Sequence, residues 1–396
     1  MDFRFDAEHE RFREEIRAFV AAELPAAWRS ADAYNDREDA PPEAGEAARA
    51  FQRKLAGRGW LTLAWPKEHG GLGAGPVRQL VYNEEMSRLR APAFGGTGPA
   101  MVGPTLMLHG TEEQRRRFLA PIARAEMTWC QGFSEPGAGS DLASLQTRAV
   151  ADGDDFVLNG QKVWTSGAHR ADWCIVLART DPDAPKHRGI SYFLMDMKSP
   201  GITIKPLPNM LNSAAFSEMF LDNVRIPRED LVGELNRGWY VATTTLDFER
   251  SGIQRIVFAE TLLDDLIGWA RGRHSGAGRP IDRAPVRNRL AELRIEFAVG
   301  RLLAYRVAWM QGQGLVPNAE ASVAKLYSTE LQARFAAAAI NLPGEAGALW
   351  RGSPRAALGG RFASYYLAAA SYTIAAGTSE VQRNIIAQRG LGLPRG

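Results

Sequence analysis

The stretch WCQGFSEPGAGSD, residues 129–141, begins as an apolar run typical of a β-strand and breaks at Glu135-Pro136-Gly137. Proline removes a backbone donor and fixes φ, so the strand ends there. Gly137 and Gly139 admit left-handed turns and allow a ligand to approach the backbone closely. The Ser134 and Ser140 hydroxyls and the N–H groups of such a turn can hold an anion such as a phosphate. A tight surface turn without a ligand is the alternative, and this stretch alone does not separate the two.

A second stretch, FVLNGQKVWTSGA at residues 156–168, predicts a β-hairpin. Asn-Gly between two strand-like runs is the strongest short hairpin signal, because both central residues of that turn need positive φ. The returning strand ends in Trp164, Thr165 and Ser166, which place a flat aromatic ring beside two hydroxyls. Such side chains can cover a planar heterocycle and hydrogen-bond to its edge, whereas a core tryptophan is the alternative.

Taken together, the two stretches resemble the flavin-binding signature of the acyl-CoA dehydrogenase family. The resemblance rests on SEPGAGSD at 134–141, LNGQKVWTSG at 158–167 and, near the C-terminus, AGTSEVQR at 376–383. Three ordered motifs spread over about 250 residues are far more specific than any one of them.

Hydrophobic periodicity divides the chain in the same order as that family's architecture. Residues 1–128 are typical of helices, residues 129–236 of short strands separated by turn residues, and residues 237–396 of long helices with few turn signals. The prediction is an α+β multidomain fold. It comprises an N-terminal α-helical domain, a middle antiparallel β-domain that binds the flavin, and a C-terminal four-helix bundle.

Composition argues against several classes of function. The 396 residues have a formal net charge of +3 with interspersed charges, which disfavours nucleic-acid binding. No apolar run predicts a membrane span, and the N-terminus has no signal-peptide pattern. The six histidines show no metal-ligand spacing, so no metal site is expected. Cys130 and Cys174 lie in apolar runs typical of the core of a protein in a reducing compartment, and a cytoplasmic location is expected.

The resemblance implies FAD and the α,β-dehydrogenation of an acyl-CoA thioester to the trans-2-enoyl thioester. This chemistry needs a carboxylate that takes the α-proton, hydrogen bonds to the thioester oxygen, and a flavin N5 that faces the β-carbon to receive a hydride. Many family members carry the base directly before the Gly-Thr of the C-terminal motif, where this chain has Ala376. Alanine cannot take a proton, but its backbone N–H can still hold the thioester oxygen, as it does in the family.

A second family position for the base lies in the helix that follows the β-domain. Glu249 matches this position, which the long-chain and isovaleryl branches use together with a small residue before Gly-Thr. The resemblance therefore implies Glu249 as the catalytic base. It also implies substrate contacts by Arg250, which matches an arginine that contacts CoA, and by Ser140, Ala376 and Gly377. An ordinary surface pair of Glu249 and Arg250 is the alternative.

The family's flavin contacts correspond to a further set of residues in this sequence. Within the subunit these are Phe133, Ser134, Gly139, Ser140, Trp164, Thr165, Ser166, Thr378 and Glu380. In the family, two further motifs contact the flavin of the partner subunit, and this sequence matches each only in part. Arg273 is the residue that matches Arg-x-x-Phe-Gly, and Gly344 is the residue that matches Gln-x-x-Gly-Gly. This partial match is similar to that in bacterial branches of the family that act on bulky, dicarboxylic or steroid-derived thioesters, some of which are two-subunit assemblies.

The hypothesis is a homodimeric or homotetrameric dehydrogenase, or a heterotetramer with a related subunit, that passes electrons to an electron-transfer flavoprotein. One alternative is a dehydrogenase acting on a carrier-protein thioester. Another is a catalytically silent subunit that supports the active site of a partner chain. A third is a flavin oxidase that passes electrons to oxygen. The sequence leaves the acyl group open.

Overall fold

The computed structural model describes residues 4–26, 28, 42–92, 96–247, 252–272 and 278–394. They fall into two compact units, one within Met1–Asn35, Gly75–Pro92 and Arg250–Gly396, and the other within Asp36–Ala74 and Ala93–Glu249. The first unit is helical, and the second combines helices with a β-sheet. The predicted domain limits 1–128, 129–236 and 237–396 remain a prediction.

The helices and strands follow the predicted order. The helices are α1 (Ala7–Glu23), α2 (Pro42–Gly57), α3 (Pro76–Arg88), α4 (Gly103–His109), α5 (Glu112–Ala123), α6 (Gly238–Asp247), α7 (Ile253–Arg271), α8 (Ala284–Gly312), α9 (Asn318–Asn341), α10 (Glu345–Ala348), α11 (Arg361–Tyr372) and α12 (Ser379–Ile385). The strands are β1 (Trp129–Gly132), β2 (Arg148–Asp152), β3 (Asp155–Ser166), β4 (Trp173–Arg179), β5 (Ile190–Asp196), β6 (Ile202–Leu207), β7 (Phe216–Pro227) and β8 (Leu231–Val232). The short elements α4, α10, β2 and β8 were not predicted from the sequence.

The first unit has the predicted four-helix bundle at its centre, formed by α7, α8, α9 and α11. Phe335 of α9 packs edge-on against Phe297 of α8, with 5.4 Å between ring centroids, and lies 5.7 Å from the Tyr365 ring of α11. All three rings are buried, and burying such a side chain stabilises the fold by about 1.5–3 kcal/mol. The apolar stripes of these helices therefore meet in one core.

A buried ion-pair network attaches α1 to α3 in the same unit. The Arg13 guanidinium donates hydrogen bonds of 2.6 Å to both Glu84 and Glu85, and Arg17 donates to Glu85 over 2.9 Å. Burial on its own raises the pKa of Glu85, but the hydrogen bonds and charges of Arg17 and Arg13 outweigh it and hold that pKa below its ordinary value of 4.5. Glu85 is therefore ionised in the folded protein at neutral pH.

Glu85→Gln is expected to lower the free energy of unfolding at pH 7 by about 2 kcal/mol, because it removes one of the two carboxylates paired with the buried Arg13 and leaves Glu84 as its remaining partner. The folded-state pKa of Glu85 lies below its unfolded-state value, so its contribution to stability is full above about 4.5 and lost as the pH falls further. The stability difference between parent and variant should accordingly shrink in acid. Urea unfolding from pH 7 to pH 3.5 measures it, with the exposed Glu8→Gln as control. A difference that stays constant with pH would contradict the network's role.

The second unit is built on an eight-stranded sheet with the order β6-β7-β3-β2-β4-β5-β8, in which β1 pairs with β4. The predicted antiparallel arrangement holds for most neighbours. It fails at β4, which runs parallel to both β1 and β2. Cys130 and Cys174 lie opposite each other in β1 and β4, and both are buried free thiols, as predicted.

The hairpin predicted at Asn159-Gly160 is wrong, because β3 continues through both residues as one strand. Its register against β7 shifts between Leu158 and Gly160, which marks a β-bulge. Asn159 accepts a hydrogen bond from the Asn223 backbone N–H over 2.9 Å. A Cβ at Gly160 would lie 2.5 Å from Thr147 Oγ1, so the glycine allows β3 to approach the segment at Thr147 closely.

Within the described ranges, no helix is both long enough and apolar enough to cross a bilayer. The same residues contain no group of three or more metal-ligating side chains.

Candidate functional site

The segment that follows β1 folds into a tight turn with open space above it. Glu135 and Ala138 exchange two backbone hydrogen bonds of 3.0 Å, which close the turn around Pro136 and Gly137. A Cβ placed on Gly137 or on Gly139 would meet nothing within 4 Å. Ser140 follows and is exposed. The turn thus presents backbone and a hydroxyl to a ligand without obstruction by side chains.

A buried ion pair attaches this turn to β3. Lys162 Nζ lies 2.8 Å from Glu135 Oε1 and 3.2 Å from the Phe133 carbonyl oxygen, and the lysine side chain has no exposed surface. Glu135 also accepts hydrogen bonds from the backbone N–H groups of Gln146 and Thr147, at 2.5 and 2.9 Å. Burial raises the pKa of Glu135, but the charge and hydrogen bond of Lys162 with these donors lower it below its ordinary value. The carboxylate is therefore charged and bound on several sides.

Trp164 and Ser166 share one face at the end of β3. Trp164 has a φ of +60°, an uncommon value for a residue with a bulky side chain. Its indole is 62% exposed, with one edge against the Phe216 ring at 5.9 Å between centroids. Exposed strained residues are enriched at ligand sites. The strand therefore presents a flat apolar surface next to the Ser166 hydroxyl, which is also exposed.

Two of the predicted flavin contacts do not lie on that exposed face. Thr165 alternates to the opposite side of β3 and is 0% exposed, and its hydroxyl has no hydrogen-bond partner within the described part of the chain. The Phe133 ring is 4% exposed and packs edge-on against Tyr192. Both side chains are therefore too buried to contact a ligand that lies on the exposed Trp164 indole. Ser134 is half-buried, and its carbonyl oxygen accepts the Val163 N–H over 2.9 Å.

The C-terminal motif lies in the other unit and forms a strained turn. Ala376 and Gly377 have φ values of +54° and +84°. Lys325 Nζ donates to the Gly377 carbonyl over 2.7 Å, and Gln382 Nε2 donates to the Ala376 carbonyl over 3.1 Å. In the part of the chain that the structure covers, the Ala376 N–H donates to no protein acceptor. The turn therefore holds a free backbone donor at an exposed position.

Thr378 and Glu380 follow at the start of α12. The Thr378 hydroxyl accepts a hydrogen bond from the Val381 N–H over 3.2 Å and caps the helix. Glu380 is exposed, and hydrogen bonds from its own backbone N–H and from Thr378 lower the pKa of its carboxyl. Gly344 precedes α10 with a φ of +64° and open space at its Cβ position. The predicted Glu249, Arg250 and Arg273 lie outside the described residues.

The described residues fit a flavin. An exposed indole and a neighbouring hydroxyl suit the face and edge of a planar heterocycle, and the open turn at Gly137 and Gly139 suits a phosphate. Sequence reasoning missed the groups that hold these elements in place, which are Glu135, Lys162, Lys325 and Gln382. A lysine inside a strand-like run, such as Lys162 before Val163 and Trp164, is the signal that could have indicated a buried partner.

Comparison with known proteins agrees with this geometry. Family models described as the acyl-CoA dehydrogenase N-terminal, middle and C-terminal domains match residues 6–126, 130–224 and 236–391. The acyl-CoA dehydrogenase IpdE1 of Mycobacterium tuberculosis is 38% identical over 396 residues, which cover 98% of each chain.

Two solved structures superpose on the whole chain. The Tcur3481-Tcur3483 steroid ACAD has a TM-score of 0.89 at 35% identity, and the ChsE4-ChsE5 complex from Mycobacterium tuberculosis has a TM-score of 0.89 at 36% identity, each with 100% of both chains covered. Because three family models match in order and these relatives span the chain, the chain belongs to the acyl-CoA dehydrogenase family and is an oxidoreductase of that family.

Proposed function

We propose that this chain binds FAD and oxidises an acyl-CoA thioester to the trans-2-enoyl thioester, with Glu249 as the base that removes the α-proton. The observation that supports flavin binding is the exposed, strained Trp164 beside Ser166 on the same unit as the open turn at Gly137 and Gly139. When bound, FAD supplies the acceptor for the β-hydride. A cytoplasmic location belongs to the proposal, supported by the two buried free thiols.

The Ala376 N–H is proposed to hold the thioester oxygen as enolate charge develops there. Its donor is free of protein acceptors within the described residues, and the turn that orients it is held by Lys325 and Gln382. Fixed donors aimed at developing charge lower the barrier because they need no reorganisation during the reaction. Ser140 and Ser166 are proposed to orient the thioester and the flavin, and Arg250 to contact CoA.

The acyl group is proposed to be bulky or branched. Ala375 and Ala376 are small and exposed, and one solved relative is named as a steroid ACAD. We expect anaerobic addition of thioesters to the yellow, FAD-containing protein to bleach the flavin fastest with branched or polycyclic acyl groups. The measurement is flavin absorbance across a panel of CoA thioesters. A clear preference for short straight chains would refute the bulky pocket, and a protein that takes up no FAD, alone or with a partner chain, would refute the function.

Trp164→Ala is expected to weaken FAD retention by about tenfold, because stacking on an aromatic side chain contributes about 0.5–1.5 kcal/mol beyond its buried area. The flavin absorbance spectrum should shift as well. Trp350→Ala, which removes another exposed indole in the other unit, serves as the control. The FAD dissociation constant is measured by fluorescence titration of the apoprotein. An unchanged constant and spectrum in Trp164→Ala would indicate a tryptophan with a purely structural role.

A supporting subunit in a two-chain enzyme is the second candidate. The observation in its favour is that solved relatives are named as pairs, Tcur3481-Tcur3483 and ChsE4-ChsE5, while this chain retains only Arg273 and Gly344 of two interface motifs. Bleaching of the flavin in the purified chain alone separates the homo-oligomeric enzyme from this alternative.

An electron-transfer flavoprotein is the proposed electron acceptor. Slow reoxidation of the reduced flavin in air distinguishes such a dehydrogenase from an oxidase. A carrier-protein oxidase, AnaB, is among the structural neighbours at 25% identity.

A further inference from the structure

A buried cluster of three hydroxyls joins α4, α6 and β5 within the unit that contains the sheet. Thr105 Oγ1 of α4 lies 2.8 Å from Thr245 Oγ1 of α6, and Thr245 Oγ1 lies 3.5 Å from the Tyr192 hydroxyl of β5. None of the three residues is more than 1% exposed. A hydrogen bond in such a core is costly to leave unmade, so the cluster specifies one arrangement of the three elements.

The hydrogens available in the cluster require a bond between the two helices. Thr105 Oγ1 lies 2.8 Å from the Met101 carbonyl, and Thr245 Oγ1 lies 3.1 Å from the Val241 carbonyl, each within its own helix. A hydroxyl has one hydrogen and two lone pairs. When one threonine donates to the carbonyl of its own helix, the other can donate across to it. Valine at either position keeps the branched shape and removes this bond.

A second contact joins the same two helices beside the first. His109 Nε2 of α4 lies 3.1 Å from Thr244 Oγ1, whose hydroxyl also donates to the Tyr240 carbonyl over 3.2 Å and can therefore accept from the imidazole. Thr105 and His109 are four residues apart and share one face of α4. Thr244 and Thr245 are consecutive, so their side chains leave α6 about 100° apart. Contacts in two directions fix the rotation of α6 about its axis.

The sequence of α6 is unusual for a helix unless these hydroxyls are used. Residues 243–245 are three consecutive threonines. Threonine is a poor helix former because its branched side chain loses rotamer freedom against the preceding turn. Thr244 and Thr245 offset that cost through their contacts with α4.

The hydroxyl cluster lies between two parts of the proposed active site. The Tyr192 ring packs edge-on against the Phe133 ring, with 5.8 Å between centroids, and Phe133 directly precedes Ser134 of the flavin motif. At the other side, Thr245 precedes Glu249 by four residues in the chain. The cluster therefore connects the strand that leads into the flavin motif with the helix that leads to the proposed base.

We propose that Thr245 is a positioning residue for the α-proton base, and that its hydroxyl cluster keeps the helix before the base in register with the flavin motif. This inference rests on the proposed function, in which Glu249 removes the proton. Proton removal and hydride transfer act on neighbouring carbons of one substrate, so the base and the flavin must be placed together. A misplacement of about 1 Å can cost about 10²-fold in rate.

Thr245→Val is expected to slow flavin reduction by a competent acyl-CoA about tenfold and to leave the half-saturating concentration unchanged, because the thioester contacts remain. Thr245→Ser keeps the hydroxyl and should restore most of the rate. The matched control is Thr243→Val, since the Thr243 hydroxyl bonds only within its own helix, to the Tyr240 carbonyl over 2.8 Å. Anaerobic stopped-flow absorbance measures the rates. Equal rates in Thr245→Val and Thr243→Val would overturn the proposal.

Thr105→Val removes the same bond from the other helix and keeps the test open if Thr245→Val does not fold. It should slow reduction to a similar extent. The double variant Thr105→Val with Thr245→Val should be no slower than the slower single variant, because both changes remove one shared interaction. Independent, multiplying effects of the two changes would contradict a shared bond and overturn the proposal.

The background of Glu249→Gln separates a positioning role from a general structural one. Thr245→Val should slow reduction no further in that background, since no base remains to be placed, whereas a further tenfold loss would overturn the proposal. If Glu249→Gln abolishes reduction and Thr245→Val matches its control, the proposed function stands and this inference is wrong. If Glu249→Gln reduces as fast as the parent, the base assignment itself is wrong and the inference fails with it.

Discussion

Glu249→Gln is expected to slow flavin reduction by a competent acyl-CoA at least about 10²–10⁴-fold, the usual cost of losing a general base. Glutamine keeps the shape of the side chain and its hydrogen-bonding oxygen, but it has no carboxylate to accept the α-proton. FAD content, thermal unfolding and thioester binding should remain close to those of the parent. Anaerobic stopped-flow absorbance with the best substrate of the thioester panel measures the effect.

The matched control is Glu234→Gln, which makes the same chemical change at an exposed glutamate ahead of α6. A Glu249→Gln protein that reduces as fast as this control would place the base elsewhere in the chain or in a partner subunit. Restoring a carboxylate by Ala376→Glu in the Glu249→Gln background should recover part of the rate if both positions reach the same α-carbon. Ala376 already has a Cβ at a φ of +54°, so a larger L-residue adds little new backbone strain there.

Local patterns predicted most helices because capping and periodicity act within a few residues. Thr111 and Gln114 form the capping box that their spacing predicts, and Asp6 caps α1. The π-helical and helical segment from Gly98 to His109 was missed, since its prolines and glycines are typical of a loop. Its conformation depends on packing, as a Cβ at Gly103 would overlap the Trp65 ring.

Part of the candidate site was predicted as well, because that part also depends on patterns within a few residues. The two flavin-motif stretches and the C-terminal motif are local patterns, and the structure shows the open turn, the exposed indole and the free Ala376 donor within them. Which side chain of Trp164, Thr165 and Ser166 points outward depends on the register of β3, and the bulge between Lys162 and Thr165 alters that register. Glu135 and Lys162 are 27 residues apart, so their contact requires the folded sheet.

Lys162→Met is expected to lower the free energy of unfolding of the sheet unit by about 3–5 kcal/mol, the cost of leaving a buried charge without its partner. Methionine fills nearly the same volume, but Glu135 would remain buried with only the Gln146 and Thr147 N–H groups as donors. Because Glu135 anchors the turn and Lys162 lies two residues before Trp164, FAD should also dissociate faster. Urea unfolding followed by tryptophan fluorescence and FAD release followed by flavin fluorescence measure the two effects.

The exposed pair of Lys186 and Asp141 is the control, since it also joins a lysine to a carboxylate over 2.8 Å. Lys186→Met should cost less than about 1 kcal/mol, because solvent screens that pair. A double variant, Glu135→Gln with Lys162→Met, should be more stable than Glu135→Gln alone, since it removes the unmatched ammonium from the core. If Lys162→Met, Glu135→Gln and the double variant are all as stable as the parent and retain FAD, the buried pair does not hold the turn. The hydrogen bond from the Val163 N–H to the Ser134 carbonyl must then position it instead.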